Sequence, residues 1–315
     1  MSKKQENQLG SYIDLYLANK NKQDELEVRF GTNKNNPLTK IKFDNVIKKL
    51  LSMGFYIEAD NVYTLNIQNE YVDPASGRKR LSNIRTTIAG LDNIQKYCKT
   101  NNFDNENIPS YVTFMQKFYK RKYAGSQEKL FALDFDKFEF RVNYKEERIL
   151  DKKRGLLNNI LNSWNDSKKT FRLLKRVTLL HKDYPFRYDF SVIKTSKLFR
   201  GRNQMVPEFT IQEADLFNNM MHYEVEIELL NEQCYKYTGV VLESLLKKNI
   251  QFILSGLQFS NYPISYFERN NILKEYLELT LDKKTYNNLK EDNSYNYKKR
   301  KSRRYKGYKL VYFPN

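Results

Sequence analysis

The sequence has few of the residues on which several common kinds of catalytic site depend. Its 315 residues include two histidines, His181 and His222, and two cysteines, Cys98 and Cys234. Neither histidine has a partner at the spacing of a metal site or a catalytic triad, which argues against histidine-based catalysis. The cysteines match no metal-binding spacing, so a reducing compartment is the default expectation.

Glycine-rich and long apolar segments are also lacking. Gly31, Gly77 and Gly125 stand alone at turns, so the sequence contains no glycine-rich phosphate-binding loop. The first residues do not have the architecture of a signal peptide, and no stretch approaches the roughly 18 apolar residues of a membrane span. We therefore expect a soluble, intracellular protein without a membrane partner.

Cationic residues are in large excess. Lys and Arg total 55 against 37 Asp and Glu, which gives a formal net charge of +18. Such an excess indicates a polyanionic partner, although the abundance of Lys, Asn and Tyr also fits the bias of an AT-rich genome. The densest run, KKRKSRRYK at 298–306, would grip RNA, direct nuclear import or solubilise a tail, and these alternatives stay open.

Strand-like segments dominate the middle of the chain. With 24 Tyr and 20 Phe, the composition favours strands. The predicted strands are 24–31, 61–72, 80–89, 111–122, 131–147, 170–181, 186–194 and 221–230. About eight strands with short connections predict a closed antiparallel β-barrel, with flanking helices at 9–20, 39–53, 238–256 and 264–279. This α+β, mainly β fold would form one domain over 1–283, followed by a basic tail or linker at 284–315.

Two glutamate-rich segments carry most of the functional information. They are ELEVRF at 25–30 and EVEIEL at 224–229. Since side chains alternate between the faces of a strand, each segment has one aliphatic and one polar face. The polar positions are Glu25, Glu27, Arg29, Glu224, Glu226 and Glu228.

Carboxylates so crowded on neighbouring strands would repel one another unless cations lie among them. Mg²⁺ and Mn²⁺ prefer oxygen ligands of this kind. The alternative is a solvated, acidic outer face of a surface strand.

Cationic side chains recur on the predicted strands between these two segments. They are Arg85, Lys117, Lys120, Arg141, Lys145, Arg172, Arg176 and Arg187. A triphosphate needs Arg and Lys around its non-bridging oxygens, and a barrel lined with both signs of charge would exclude bulk water and strengthen both interactions. The alternative is that these are ordinary outward positions of half-buried strands.

The two glutamate motifs with basic strands between them resemble the triphosphate tunnel metalloenzymes. Within that superfamily the match is to the mRNA-capping RNA 5′-triphosphatases of fungi, protozoa and large DNA viruses. The segment QFSNYPISYFERNNILKEYLEL at 258–279 resembles the region after the barrel in giant-virus capping enzymes, where a Pro-Ile-Ser turn precedes a Glu-containing helix. The resemblance covers roughly residues 9–280 and implies a closed eight-stranded tunnel.

The resemblance also implies roles for the acidic side chains. The expected ligands of a Mn²⁺ or Mg²⁺ ion are Glu25, Glu27 and Glu228. Glu226 would hold a metal-bound or attacking water, Glu147 would orient the nucleophilic water, and Glu224 would support the floor of the site.

The basic side chains would clamp the phosphates. By the resemblance, Arg85 contacts phosphate from the roof. Arg172 and Arg176 match the outer members of an Arg-x-Lys-x-Arg strand, and Asp189 and Ser191 brace these residues. The other side chains expected to bind substrate phosphates are Lys120, Arg141, Lys175 and Arg187.

The chain departs from this pattern at the centre of the clamp. The central Lys of Arg-x-Lys-x-Arg falls on Leu174, with Lys175 one step away and facing outward on a regular strand. A β-bulge would bring Lys175 inward, or Lys120 would supply the charge. Lys117 competes with Lys120 for the roof, because the two face opposite ways.

The resemblance thus predicts hydrolysis of the γ-phosphate of 5′-triphosphate RNA, the first step of mRNA capping. A guanylyltransferase and methyltransferase, fused or separate, would be partners, although the chain contains no Lys-x-Asp-Gly motif. A viral protein would reside in the virion or a cytoplasmic viral factory. The alternatives are a tunnel-type inorganic or nucleoside triphosphatase and a non-catalytic, basic RNA-binding subunit of a capping complex.

Overall fold

The computed structural model describes residues 3–32, 36–104, 107–121, 126–151, 155–199 and 204–281. The elements in chain order are α1 Lys3–Asn19, β1 Asp24–Phe30, α2 Lys40–Ser52, β2 Tyr56–Val72, β3 Lys79–Leu81, β4 Ile84–Ala89, α3 Leu91–Thr100, β5 Val112–Tyr119, β6 Leu133–Phe135, β7 Phe140–Ile149, α4 Gly155–Asn162, β8 Lys169–His181, β9 Tyr184–Thr195, β10 His222–Leu229, α5 Asn231–Cys234, α6 Gly239–Gln258 and α7 Tyr266–Thr280.

Eight of the strands form a closed antiparallel barrel. Their order is β1-β10-β9-β8-β2-β4-β5-β7, and the pairing of β7 with β1 closes the ring. The short strands β3 and β6 extend β2 and β7 outside it. The predicted α+β fold with a closed eight-stranded barrel is therefore confirmed.

One half of the outer wall packs against helices. Leu26 and Val28 of β1 and Val225 and Ile227 of β10 are buried in an apolar cluster with side chains of α1, α2 and α6. Burying an aliphatic side chain of this size contributes roughly 1.5–3 kcal/mol. This packing fixes the faces of β1 and β10, so their glutamates must point into the barrel.

The other half of the outer wall has its own core. Leu65 of β2, Phe114 of β5 and Phe171 of β8 pack with side chains of α3 and α4 and with Trp164. Trp164 is fully buried, and its indole N–H donates to the carbonyl of Asn101 at 3.2 Å. Both halves of the outer wall are therefore apolar, and the polar faces of the strands line the lumen.

The helices under the barrel begin at side-chain caps. Thr39 accepts a hydrogen bond from the backbone N–H of Lys42 at 3.3 Å and starts α2. Thr238 caps α6 in the same way through the N–H of Val241 at 3.4 Å.

Helix α7 belongs to a second compact unit of the chain. Ser265 caps it by accepting from the N–H of Glu268 at 3.1 Å. The predicted domain boundary at 283 and the tail at 284–315, including the run 298–306, lie outside the described residues, and so they stay predictions. Among the described helices, none is long and apolar enough to cross a membrane.

Some predicted elements differ from the structure. The single strand predicted over 131–147 is wrong, because a turn at 136–139 with Glu139 in a left-handed conformation (φ 56°) separates β6 from β7. The strand predicted over 80–89 is interrupted at Ser82 and Asn83. Helices α3, α4 and α5 have no counterpart among the predicted elements.

Substitution of Gly256 should destabilise the helix pair under the barrel. A Cβ at Gly256 would lie 2.9 Å from the Cγ2 and 3.0 Å from the Cα of Val46 in α2. Gly256→Val should therefore lower the free energy of unfolding by about 1–3 kcal/mol, the usual cost of overpacking. Chemical denaturation measures this, and Gly155→Val is the control because a Cβ there meets no atom within 4 Å. Equal stability of the two variants would contradict the close helix contact.

Candidate active site in the barrel lumen

The two glutamate strands lie side by side. Strand β1 pairs with β10 so that Glu27 is the cross-strand partner of Glu228, and Arg29 is the partner of Glu226. The pairing of β10 with β9 adds Arg187 opposite Glu228 and Asp189 opposite Glu226. The predicted acidic residues of β1, β10 and β9 are therefore gathered on one wall of the lumen.

Glu25 and Glu228 are short of positive charge. Burial raises the pKa of Glu25 to about 8, and repulsion from Glu27 adds to this, although Lys117 contacts its carboxylate at 3.0 Å. Burial likewise raises the pKa of Glu228 to about 7, against the opposing effect of Arg187, with which it forms an ion pair. Two buried carboxyls with such raised pKa values mark a place where added positive charge would be stabilising.

Glu27 is the well-compensated member of the acidic group. It accepts a hydrogen bond from the amide of Asn143 at 2.9 Å and contacts the ammonium of Lys145 at 3.4 Å. Burial opposes its ionisation, but Lys145, Lys117 and Arg29 outweigh burial and hold the pKa of Glu27 below its usual range. Glu27 is therefore an anion at neutral pH.

Glu147 and Lys117 form an ion pair on the wall made by β7 and β5. They are cross-strand partners, and Lys117 also bridges to Glu25. Burial opposes ionisation of Glu147, but Lys117 holds the pKa of this carboxyl below its usual range. Arg85 lies near this pair, and its buried Nε has no hydrogen-bond partner within the described part of the chain. An unpaired buried guanidinium N–H is suited to an anionic ligand.

Glu224 holds two arginines together. It pairs with both Arg29 of β1 and Arg172 of β8. Burial, together with repulsion from Arg29, lowers the pKa of Arg172 to about 10. Arg29 also contacts Glu226 at 3.5 Å, so the two crowded guanidinium groups are held between two carboxylates.

Arg176 is braced by acidic and hydroxyl groups of β9. It contacts Asp189 at 2.9 Å, the Ser191 hydroxyl at 3.0 Å and Glu226 at 3.4 Å. Arg187 reaches the same Asp189 carboxylate at 3.2 Å. Asp189 and Ser191 thus contact Arg176, one of the two arginines that they were expected to brace, whereas Arg172 pairs with Glu224 instead; the catalytic roles stay predictions.

Lys120, Lys175 and Arg141 do not join the acidic group. Lys120 contacts Asp24 at 2.6 Å, on the face of β1 opposite to that of Glu25, because it stands an odd number of residues from Lys117. Arg141 lies on the lumen-facing side but forms a two-bond ion pair with Asp134, at 2.6 and 3.0 Å.

The β-bulge that would bring Lys175 inward is absent, and Lys175 faces outward as expected of a regular strand. The pairing of β8 with both β2 and β9 continues without a shift through Lys175, so no bulge turns it inward. Its exposed side chain lies over the ring of Tyr63 at 5.7 Å. Leu174, which is nearly fully buried, occupies the intervening position on the face of Arg172 and Arg176.

Four lumen residues, Arg29, Lys117, Asn143 and Lys145, were not assigned as site residues from the sequence. Strand alternation placed each of them on the right face, and Lys117 competed with Lys120 for the roof. The alternation of side chains along a strand does not show which residue each one contacts, because these partners depend on the pairing of β7 with β1.

The acidic group has the donor chemistry of a Mg²⁺ or Mn²⁺ site. Glu25, Glu27 and Glu228 offer only carboxylate oxygens, and mutual repulsion contributes to the raised pKa values of Glu25 and Glu228. Within the described residues, no three Asp, Glu, His or Cys side chains converge to hold a metal ion, since each of these carboxylates turns to a cation or an amide. Metal binding would require these side chains to turn toward one another.

No protein-family model and no curated protein matches the chain. Among solved structures, the S. pombe Pct1 RNA triphosphatase aligns at 12% identity over 84% of this chain and 95% of that chain, with a TM-score of 0.43. The same enzyme in complex with the Spt5 CTD aligns at 13% identity over 82% and 94%, with a TM-score of 0.42. The PH1819 protein from Pyrococcus horikoshii OT3 aligns at 9% over 73% and 89%, with a TM-score of 0.29.

The metal-free protein should lose stability as the pH rises. The folded-state pKa values of Glu25, about 8, and Glu228, about 7, lie above the ordinary range of a glutamate carboxyl. The folded state therefore binds these protons more tightly than the unfolded state, and that contribution is lost as the pH rises through the folded pKa values. The melting temperature in EDTA should fall from about pH 5 to about pH 8 and level off above it. Glu25→Gln and Glu228→Gln should flatten this slope; an unchanged slope in both variants would contradict the assignment.

Proposed function

We propose that this protein is a metal-dependent RNA 5′-triphosphatase, which removes the γ-phosphate of 5′-triphosphate RNA before capping. One observation carries the proposal: a closed barrel presents the carboxylates of β1 and β10 and the cations of β5, β8 and β9 to the same lumen. A triphosphate bound through a divalent cation needs both signs of charge at close range.

The cations are placed to surround a polyphosphate from several walls. Arg172 and Arg176 project from β8, Arg187 from β9 and Lys117 from β5. Arginine binds phosphate oxygens through two parallel N–H bonds, which fixes orientation as well as charge. The Nε of Arg85, which has no partner among the described residues, supplies a further buried donor.

Glu25, Glu27 and Glu228 are the residues that would hold Mn²⁺ or Mg²⁺. The bound ion would supply Lewis-acid stabilisation of charge on the γ-phosphate. Binding would also relieve the repulsion that contributes to the raised pKa values of Glu25 and Glu228. Lys117 and Arg187, which neutralise these carboxylates in the structure, would then be free to contact phosphate oxygens.

Glu147 is suited to accept the proton of the attacking water. Its lowered pKa keeps it ionised at neutral pH, and Lys117 fixes its position. The water oxygen forms a bond to the γ-phosphorus, and the bond from that phosphorus to the bridging oxygen breaks. The RNA diphosphate leaves with the electron pair, and the water proton passes to Glu147 and then to solvent.

The capping context extends this proposal. The resemblance of the segment 258–279 to giant-virus capping enzymes favours the viral branch, action in the virion or a cytoplasmic viral factory, and a guanylyltransferase and methyltransferase as partners, fused or separate.

The first test is release of labelled γ-phosphate from 5′-triphosphate RNA with Mn²⁺, Mg²⁺ or EDTA. Release should require the metal, and Glu27→Ala should lower kcat by roughly 100-fold or more, the scale for losing one group that stabilises transition-state charge. Mn²⁺ should also raise the melting temperature of the wild type more than that of the variant. Glu232→Ala, at an exposed carboxylate outside the lumen, is the control. No release by folded wild type would refute the enzyme and leave an RNA-binding subunit.

A second test separates adjacent residues of β8. Arg176→Ala should lower kcat/KM strongly, because Arg176 lies among the lumen carboxylates. Lys175→Ala should change kcat/KM less than about twofold, since this exposed side chain makes only a surface cation–π contact, of the order of 0.5–1 kcal/mol. Steady-state kinetics with 5′-triphosphate RNA measures both. A larger loss in Lys175→Ala than in Arg176→Ala would contradict the observed register.

A further inference from the structure

Two exposed aromatic side chains form a pair beside the lumen. Tyr119, at the end of β5, is 51% exposed, and Phe131 is 66% exposed. Their ring centroids lie 5.9 Å apart at an interplanar angle of 53°. The hydrogen bond from Leu130 N–H to the Lys120 carbonyl and the bridge between Arg121 and Lys129 join the two backbones as an antiparallel pair. We call Tyr119 and Phe131 the aromatic pair.

The aromatic pair continues the polar, lumen-facing side of the barrel. Tyr119 stands two residues after Lys117 on β5, and its cross-strand partner on β7 is Lys145, the residue that contacts Glu27. Strand alternation puts Tyr119 on the same side as Lys117. Because β5 ends at Tyr119, the pair stands at an end of the lumen wall, directly after the residues of the proposed phosphate site.

The backbone of the aromatic pair is fixed from outside. The Tyr12 hydroxyl of α1 donates to the carbonyl of Phe131 at 2.7 Å. Leu130 and Leu133, on either side of Phe131, pack against the apolar cluster under the barrel. The aromatic surface is therefore held in place before a ligand arrives, which lowers the entropic cost of binding.

Arg141 lies near the aromatic pair. Its guanidinium interacts electrostatically with the Tyr119 hydroxyl. The hydrogen bond to Asp134 is the main cause that raises the pKa of Arg141 above its usual value. Asp134 engages two of its N–H groups, so three of the five donors of a guanidinium are left. Arg141 is also the cross-strand partner of Arg29. Both arginines already have carboxylate partners, Asp134 for Arg141 and Glu224 and Glu226 for Arg29, so an incoming phosphate would use the remaining donors of Arg141.

We propose that the aromatic pair and Arg141 form a nucleoside subsite, in which the first base of the RNA stacks on Tyr119 and Phe131 while Arg141 contacts a phosphate of the chain. Stacking on an aromatic side chain suits every base, because each has a π-face. Inorganic tripolyphosphate has no base and gains nothing from the subsite. This inference rests on the proposed function. It narrows the substrates of the enzyme to triphosphates that carry a nucleoside.

The test uses the full chain with the double substitution Tyr119→Leu and Phe131→Leu, which keeps apolar volume but removes both rings. We expect kcat/KM for 5′-triphosphate RNA to fall about tenfold, within the range for loss of base stacking. The value for inorganic tripolyphosphate should change less than about twofold, since that substrate makes no stacking contact. Tyr119→Phe should retain the wild-type ratio. Tyr262→Leu is the matched control, because Tyr262 is an aromatic residue 83% exposed elsewhere on the same unit.

A binding measurement keeps the inference separate from catalysis. A 5′-triphosphate oligonucleotide with 2-aminopurine as its first base should lose fluorescence on binding wild type, as stacked 2-aminopurine does, and keep it with the double variant. An unchanged substrate ratio together with unchanged quenching would overturn the subsite while leaving the triphosphatase intact. Absence of hydrolysis of either substrate by wild type would refute the proposed function instead, and the quenching experiment would still decide whether the aromatic pair stacks on a base.

Discussion

Charge compensation inside a closed barrel is the constraint on which the rest of the structure depends. Two unit charges 4 Å apart interact by about 4 kcal/mol at an effective dielectric constant of 20, so several unpaired buried carboxylates would exceed the stability of an ordinary domain. The chain meets this constraint by placing cations opposite the glutamates, as Arg29 and Arg172 do for Glu224. The compensation is incomplete at Glu25, whose pKa is about 8, and that shortfall makes the same place receptive to a cation.

The two faces of each strand divide stability from chemistry. Leu26 and Val28 hold β1 against the helices, while Glu25 and Glu27 on the same strand point into the lumen. A barrel with an apolar outer wall under helices can keep a polar interior, because burial outside offsets the cost of desolvating charges inside. Mutations on the two faces should therefore be separable: outer changes affect folding, and lumen changes affect binding and pH response.

The sequence was most informative where strict alternation left one interpretation. The glutamate strands are predicted because aliphatic and acidic residues alternate through EVEIEL. Helix α3 is not predicted, because it buries only Ile94 and Tyr97 and begins at Gly90, which has no side chain to cap it. Lys175 shows where the family resemblance fails as a guide. The Arg-x-Lys-x-Arg motif favours a lysine that faces the lumen, but the uninterrupted register of β8 places Lys175 on the outer face. Partners such as Glu25 and Lys117, 92 residues apart, depend on ring closure, which local patterns do not encode.

Leu174 explains why closure matters for the site as well as the fold. On the lumen side of β8, an apolar side chain separates Arg172 from Arg176, and these two arginines lie about 13 Å apart along an extended strand. They therefore address different carboxylates, Glu224 and Asp189, and cannot by themselves grip the middle of a triphosphate. The missing charge must come from other walls, where Lys117 lies and where the Nε of Arg85 has no partner in the part of the chain that the structure describes. No single strand holds the whole phosphate site, so any change that opens the ring should disperse the site even when every charged residue is retained.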